Sequence, residues 1–271
     1  MTTDLLTVRS GRIKEARKLQ RRRDRTERRQ FLAEGAKALT EALPTPGGVV
    51  EVFATDAVTR EHSALRRAVL DAGIPWSVTE EAAVEALSGS VTPQGMVAVC
   101  RPVDRPLEVV LQQALPGVLV ICADVRDPGN AGTVIRTADA AGASAVVLAG
   151  SSVDPYNDKT VRATVGSLWH QPLALGGDAG EVVLTAQDAG FTVLAADGAG
   201  EVDLFEAESA GLLEGPIAWL FGNEAWGLPD ELASLADHRV SIPILGRADS
   251  LNLSTAAAVC LYASARARRG Q

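Results

Sequence analysis

The chain has 271 residues, long for one domain and comfortable for two, and its 46% hydrophobic and 22% charged residues suit a soluble protein with sizeable cores. No apolar run approaches the roughly 18 residues of a membrane span, and residues 1–6 lack the charged-then-apolar pattern of a signal peptide, so a cytoplasmic location without membrane contact is expected. A net charge of −8 would ordinarily exclude a nucleic-acid partner, but between Arg9 and Arg29 eleven Lys and Arg stand against three acids, a local +8 that leaves −16 on the remainder. That asymmetry reads either as a basic arm for a polyanion or as a solvated, salt-bridged helix face.

In chain order, Ser10 is a candidate N-cap for a basic helix over 10–23, in which Ile13, Ala16, Arg17 and Gln20 share a helical repeat. A second helix over 36–43 ends at the turn Pro44-Thr-Pro-Gly-Gly48. A strand at 49–54, a helix at 60–72, a strand at 75–78, a helix at 80–87 and a strand at 95–101 complete a small α/β domain, taken as residues 1–104. Pro102, Pro106 and Pro116 bracket a connector at 105–115, and a second α/β domain fills 116–271. There an unbroken apolar strand at 118–124 is followed by a helix at 130–141 and a strand at 145–148. Helices at 158–168 and 181–189, strands at 191–196 and 217–221, a short helix near 229–235 and a strand at 239–243 lead to an alanine-rich final helix at 253–268.

Cys100, Cys122 and Cys260 lie singly in apolar runs, and His62, His170 and His238 are scattered. Neither set has the paired spacing of a disulfide framework or a zinc site, so structural thiols and no metal are expected.

Three segments of the second domain carry the chemistry. Each passes from a strand end through a Gly- or Asn-rich turn into a helix, where an α/β sheet presents backbone amides to a ligand. The first, Asn130-Ala-Gly-Thr-Val-Ile-Arg136, follows Asp124-Val-Arg-Asp-Pro-Gly129. Asn130 either caps the helix or holds a neighbouring loop, and Arg136, about 1.7 turns further on, reads alone as a salt-bridged surface arginine. In the second, Phe221-Gly-Asn-Glu-Ala-Trp-Gly-Leu228, Gly222 leaves room for a ligand against the backbone. Glu224 is a carboxylate among apolar neighbours, to be either paired or functional, with Arg136 a suitable partner. The third, Ser241-Ile-Pro-Ile244 running on to Ser250-Leu-Asn-Leu-Ser254, offers Ser250 and Asn252, each an ordinary helix cap when taken alone. Between the first two, Lys159 and Arg162 follow a turn at 151–157 and suit either the phosphates of a polyanion or ordinary turn and cap duties. Asp197-Gly-Ala-Gly200 opens no helix and reads as a turn, and the absence of G-x-G-x-x-G argues against a dinucleotide-dependent oxidoreductase.

The order and spacing of the three segments resemble the motifs of the SpoU/TrmH branch of the SPOUT methyltransferases. Arg12-Ile-Lys14, Lys18-Leu19 and Phe31-Leu-Ala-Glu-Gly35 resemble the ribosomal-protein-like substrate-binding domain that precedes many of them. The resemblance implies an α/β fold whose C-terminal SPOUT domain, a parallel sheet flanked by helices, carries a deep trefoil knot, and a homodimer packed through the knotted regions. It implies S-adenosylmethionine-dependent methylation of a ribose 2′-hydroxyl in structured RNA, with 23S rRNA favoured over tRNA. A tRNA enzyme and a non-catalytic RNA-binding or ribosome-assembly factor on the same fold are the alternatives. Backbone around Gly222, Ile242 and Leu251 is then expected to hold the cofactor, and Arg12, Lys14, Arg17, Lys18, Lys159 and Arg162 to meet RNA. The family assigns activation of the hydroxyl to the arginine at Arg136, with Asn130, Glu224, Ser250 and Asn252 shaping the site. A guanidinium is always protonated and has no lone pair, so the expected part of Arg136 is electrostatic, with Glu224 either accepting the proton or orienting Arg136.

Overall fold

The computed structural model describes residues 5–269. Residues 1–4, part of the segment read for a signal pattern, lie outside the described residues, as do 270–271. The chain divides into two compact units: residues up to Val103 together with Asp154–Trp169, and Asp104–Val153 together with the chain from His170 onward.

In the first unit, α1 (Gly11–Lys18), α2 (Arg22–Arg28), β1 (Phe31–Glu34), α3 (Ala36–Ala42), β2 (Val49–Thr55), α4 (Asp56–Glu61), α5 (Ser63–Asp71), β3 (Trp76–Thr79), α6 (Glu81–Leu87) and β4 (Met96–Cys100) surround a four-stranded sheet of order β1-β4-β2-β3. β4 is antiparallel to β1 and β2, and β2 is parallel to β3. Leu32, Phe53, Val97 and Val99 of the sheet pack with Ile13, Ala16 and Leu19 and with Ala83, Val84 and Leu87 of α6.

The basic stretch expected as one helix is two. Arg21 is extended, and the buried Arg25 turns back to donate to the carbonyls of Leu19 and Gln20, at 2.9 Å each, closing the end of α1. Arg25 also pairs with Asp154 at 2.6 Å, and Phe31 packs on Tyr156 and Trp169, so residues 154–169 are built into this unit. The helix expected over 60–72 is likewise two: Thr55 caps α4 through Val58 N–H, and the chain bends at His62.

The second unit comprises α7 (Leu107–Ala114), β5 (Val118–Ala123), α8 (Pro128–Ala141) and β6 (Ala145–Ala149) and, after α9 (Asp158–Thr164) of the first unit, β7 (Leu173–Leu175), α10 (Ala179–Asp188), β8 (Thr192–Ala196) and β9 (Val202–Asp203). It ends with α11 (Leu204–Ser209), β10 (Ile217–Phe221), α12 (Asp230–Ala233), β11 (His238–Ser241) and α13 (Leu253–Arg268). Its seven strands are parallel, in the order β7-β6-β5-β10-β8-β11-β9. Burial on both faces explains the unbroken apolar runs of β5, β6 and β10.

The connector expected at 105–115 is largely α7, whose Val110, Leu111 and Ala114 join the core with Leu119, Ile121 and the inner face of α10. Pro106 sits at its N-cap, a position proline tolerates, so the prolines bracket a helix rather than a linker. Against the sheet, the fully buried Trp219 of β10 donates its indole N–H to Ser264 of α13 at 2.9 Å, and α13 packs along α8. No described helix is long and apolar enough to cross a membrane. The three cysteines are free and buried; burial pushes the Cys100 and Cys122 thiols up to about 12 and raises Cys260 too, so they stay protonated near neutrality. Among the described residues no group of three or more His, Cys, Asp and Glu is arranged to hold a metal.

Candidate active site

β5 ends at Ala123 and the chain turns sharply at Asp124, whose φ of +55° lies in the left-handed region. Two bonds hold this conformation: the Asp124 carboxylate accepts from Ser151 N–H at 2.6 Å, and its carbonyl accepts from the buried Asn223 side chain at 2.7 Å. α8 begins at Pro128, two residues earlier than expected, because Asp127 is its cap, accepting from Asn130 N–H at 2.8 Å. The Asn130 side chain is thereby released to hold its neighbours. It donates to Glu224 Oε1 at 3.3 Å and accepts from Asn252 Nδ2 at 3.1 Å.

Glu224 is exposed, and its oxygens also accept from the backbone N–H groups of Asp127 at 3.0 Å and Arg126 at 3.2 Å. The expected Glu224–Arg136 pair is absent. Arg136 is exposed on α8 and has no hydrogen bond or ion pair among the described residues. The amides of Arg126 and Asp127, just ahead of the positive end of α8, lie at bonding distance, so they take the carboxylate instead.

The loop after β10 closes on itself: Asn223 and Gly227 exchange backbone bonds of 2.9 Å in both directions, and Asn223 Oδ1 accepts from Ala225 N–H at 2.8 Å. A Cβ at Gly222 would lie 2.3 Å from the Gly227 carbonyl, so this closure itself requires glycine there. Asn252 caps α13, accepting from Ser254 N–H at 2.9 Å, while its amide reaches Asn130. It is thus both an ordinary cap and a link between the first and third segments.

At the C-terminal ends of β8, β10 and β11 lies a cavity of about 560 Å³, lined by residues 196–198, 221–225, 227, 240–244, 249–251, 253 and 256. Gly222, Ile242 and Leu251 line it, as do Glu224 and Ser250, whose hydroxyl has no hydrogen bond among the described residues. Asn130 and Asn252 join this wall through their bonds to Glu224 and to each other; Arg136 is not among the lining residues. Sequence patterns gave no role to Asp127 and Asn223, although Asp before a helix-opening Pro is a recognisable cap signature. Asp197 and Gly198, set aside as a turn, also line the cavity, and Asp197 is balanced by Arg239 at 2.9 Å. Their position just past the end of β8 is the signal that could have found them.

Of the basic residues expected on RNA, Lys14, Arg17 and Lys159 are exposed with no partner among the described residues. Arg12 is instead bound to Glu51 at 3.1 Å and Ser77 at 3.0 Å, and lies over the Phe53 ring. Lys18 pairs with Glu15 at 2.7 Å and, with Arg28, holds that carboxyl below its usual range. Arg162 pairs with Asp158 at 2.9 Å and donates to the Gly89 carbonyl at 3.3 Å. These three are engaged because acids and carbonyls of their own unit lie within reach.

The model of the SpoU rRNA Methylase family matches residues 117–262, and that of the MRM3-like substrate binding domain matches residues 11–98. Over 259 residues, covering 94% of this chain and 96% of the other, the sequence is 35% identical to the 23S rRNA (guanosine(2553)-2′-O)-methyltransferase RlmP of Bacillus subtilis strain 168. Among solved structures it is similar to an AdoMet-bound rRNA methyltransferase from Sinorhizobium meliloti, with a TM-score of 0.83, 34% identity, and 97% of this chain and 98% of that one covered. It is also similar to the SpoU methyltransferase AviRb from Streptomyces viridochromogenes in complex with the cofactor AdoMet, with a TM-score of 0.82, 30% identity, and coverage of 96% and 99%.

Proposed function

The chain belongs to the SpoU rRNA methylase family, and from that premise we propose that it transfers a methyl group from S-adenosylmethionine to a ribose 2′-hydroxyl of 23S rRNA. The observation that carries this reading is the meeting of the three motif segments. Two line one cavity, and the first is bonded to both through Glu224 and Asn252.

The cavity suits the cofactor. Its 560 Å³ falls within the roughly 300–1,000 Å³ usual for small ligands. Phe221, Ile242, Leu251 and Leu253 supply apolar wall for a flat base, and backbone at Gly222, Ile242 and Leu251 supplies polar groups to hold the rest. When bound, S-adenosylmethionine supplies a methyl group on a positively charged sulfur, already activated by its leaving group. The protein must add alignment and help with the proton. Arg136, exposed and without a protein partner, stabilises the attacking oxygen as its proton passes to solvent water, or fixes the adjacent phosphate. Glu224, Asn130 and Asn252 position the loops, and Ser250 presents a free hydroxyl to the cavity.

We assign RNA binding to residues 1–104, extended by the 154–169 segment, and catalysis to the remainder of 116–271. Lys14, Arg17 and Lys159, with Arg9, Arg21, Arg22 and Arg23, grip phosphates, while Arg12, Lys18 and Arg162 brace their own unit. The trefoil knot and the homodimer are parts of the same proposal. The return of the chain after β11 across the sheet, so that α13 packs on α8 and on Trp219 of β10, supports the first. Exposed Tyr262, Val259 and Phe205 along α13 and α11 support the second. The reaction belongs in the cytoplasm, with ribosomal RNA.

The test offers radiolabelled S-adenosylmethionine and purified protein to 23S rRNA, 16S rRNA and tRNA transcripts and to isolated ribosomal subunits in parallel. Label at a 2′-oxygen of 23S rRNA alone is the expected result. Label confined to tRNA would overturn the substrate, and no label in any RNA or ribosomal subunit would overturn the activity.

A further inference from the structure

We propose that Trp226, with Arg126 stacked on it, is a platform on which a base of the RNA substrate stacks beside the methylation site; the inference rests on the reading of the cavity given above. Of the four tryptophans, Trp226 is the one more than half exposed, at 53%, and its ring meets no other ring among the described residues. A large indole left in water at a loop tip contributes nothing to the core. The Arg126 guanidinium lies over the indole, 5.0 Å from its centroid.

One carboxylate ties the Arg126 backbone to the loop that carries Trp226. Glu224 sits two residues before Trp226 and accepts the backbone N–H of Arg126, while the Asn223–Gly227 bonds close the loop between them. Trp226 therefore projects from a pinned loop rather than a mobile one. Residues 221–225 and 227 of this same loop line the cavity, so a nucleotide whose ribose meets the cofactor's methyl group at the cavity mouth brings its own base or a neighbour's within the reach of the indole. An indole with an arginine on one side offers its remaining face to a base, and the guanidinium charge suits the accompanying phosphate. Every base has such a face, so the platform gives affinity and placement without choosing sequence.

The test compares wild type with Trp226→Ala, Trp226→Phe and Arg126→Ala, using in-vitro-transcribed 23S rRNA. Filter retention gives RNA affinity, methyl transfer gives KM and kcat, calorimetry gives S-adenosylhomocysteine affinity, and sedimentation gives oligomeric state. Loss of one stacked base should raise Kd and KM for the transcript about ten- to a hundred-fold in Trp226→Ala. Trp226→Phe should stay within about three-fold and Arg126→Ala should fall between them, with cofactor affinity and oligomeric state unchanged. Wild-type RNA affinity in Trp226→Ala overturns the proposal, as does a loss that appears only together with dimer dissociation or weakened S-adenosylhomocysteine binding. A wild type that binds the transcript but transfers no methyl strikes the methyltransferase reading alone, because the binding comparison still reads the stack. A wild type that does not bind it overturns both.

Discussion

The cavity wall of the parallel-sheet unit and the basic segment of the first unit use polar side chains in opposite ways. Around the cavity, Asn130, Glu224, Asn252, Asn223 and Asp127 bond to one another and to nearby backbone, leaving Ser250 on the wall, and Arg136 further along α8, as groups without partners. Along Arg9–Arg29, Arg9, Lys14, Arg17, Arg21, Arg22 and Arg23 have no partner among the described residues, while Arg12, Lys18, Arg25, Arg28 and Arg29 are engaged. The first arrangement fixes geometry; the second supplies charge. A geometric site should fail sharply at single positions, whereas a field of charge should erode gradually and respond to salt.

The largest effect is expected at Arg136. Arg136→Ala should lower kcat by about a thousand-fold with S-adenosylhomocysteine affinity retained, as calorimetry would report; a wild-type rate would remove the centre from the geometric region. Next, Glu224→Gln leaves one carbonyl oxygen to serve three donors, and kcat/KM should fall about thirty-fold, with Asn252→Ala near ten-fold. If the two together cost no more than Glu224→Gln alone, the bonds act as one network, which a double-mutant cycle would reveal. Smallest are the single charges: Lys14→Ala or Arg17→Ala should weaken RNA binding only about two- to three-fold at moderate salt, by filter retention. Replacing Lys14, Arg17, Arg21, Arg22 and Arg23 together should flatten the log–log salt dependence by up to about 0.7–0.9 per phosphate contact removed. A single basic residue as damaging as Arg136→Ala would erase the distinction between the regions.

Much of this was legible in the residues, because the parallel strands are buried on both faces and announce themselves as apolar runs, while Gly and Asn mark the turns after them. The convergence of Gly222, Ile242 and Leu251 on one cavity follows from strand ends that share an edge. What was hidden depended on distant partners. Asp124 gives no local sign that Asn223, far along the chain, accepts the burden of its left-handed turn. A carboxylate such as Glu224 ordinarily invites an arginine, yet it is met by backbone amides instead. Arg12 and Arg162 look like their unpartnered neighbours until Glu51, Gly89 and Asp158 are placed beside them. The helix at 107–114 was concealed by flanking prolines, which mark helix starts as readily as linkers.

The excursion of Asp154–Trp169 into the first unit bears on how the protein is made and how it could have been assembled in evolution. A ribosome that has released residues up to Val103 has not yet supplied Asp154, Tyr156 or Trp169, so the first unit completes only after part of the second has emerged. Until then Arg25 faces a half-formed interior without its carboxylate, an omission that in a finished buried pair costs about 3–5 kcal/mol. The substrate-binding module is therefore not a cassette that one cut can excise. Transplanting it onto another enzyme requires two grafts, and a gene duplication that moved only the N-terminal piece would carry an unpaired arginine with it.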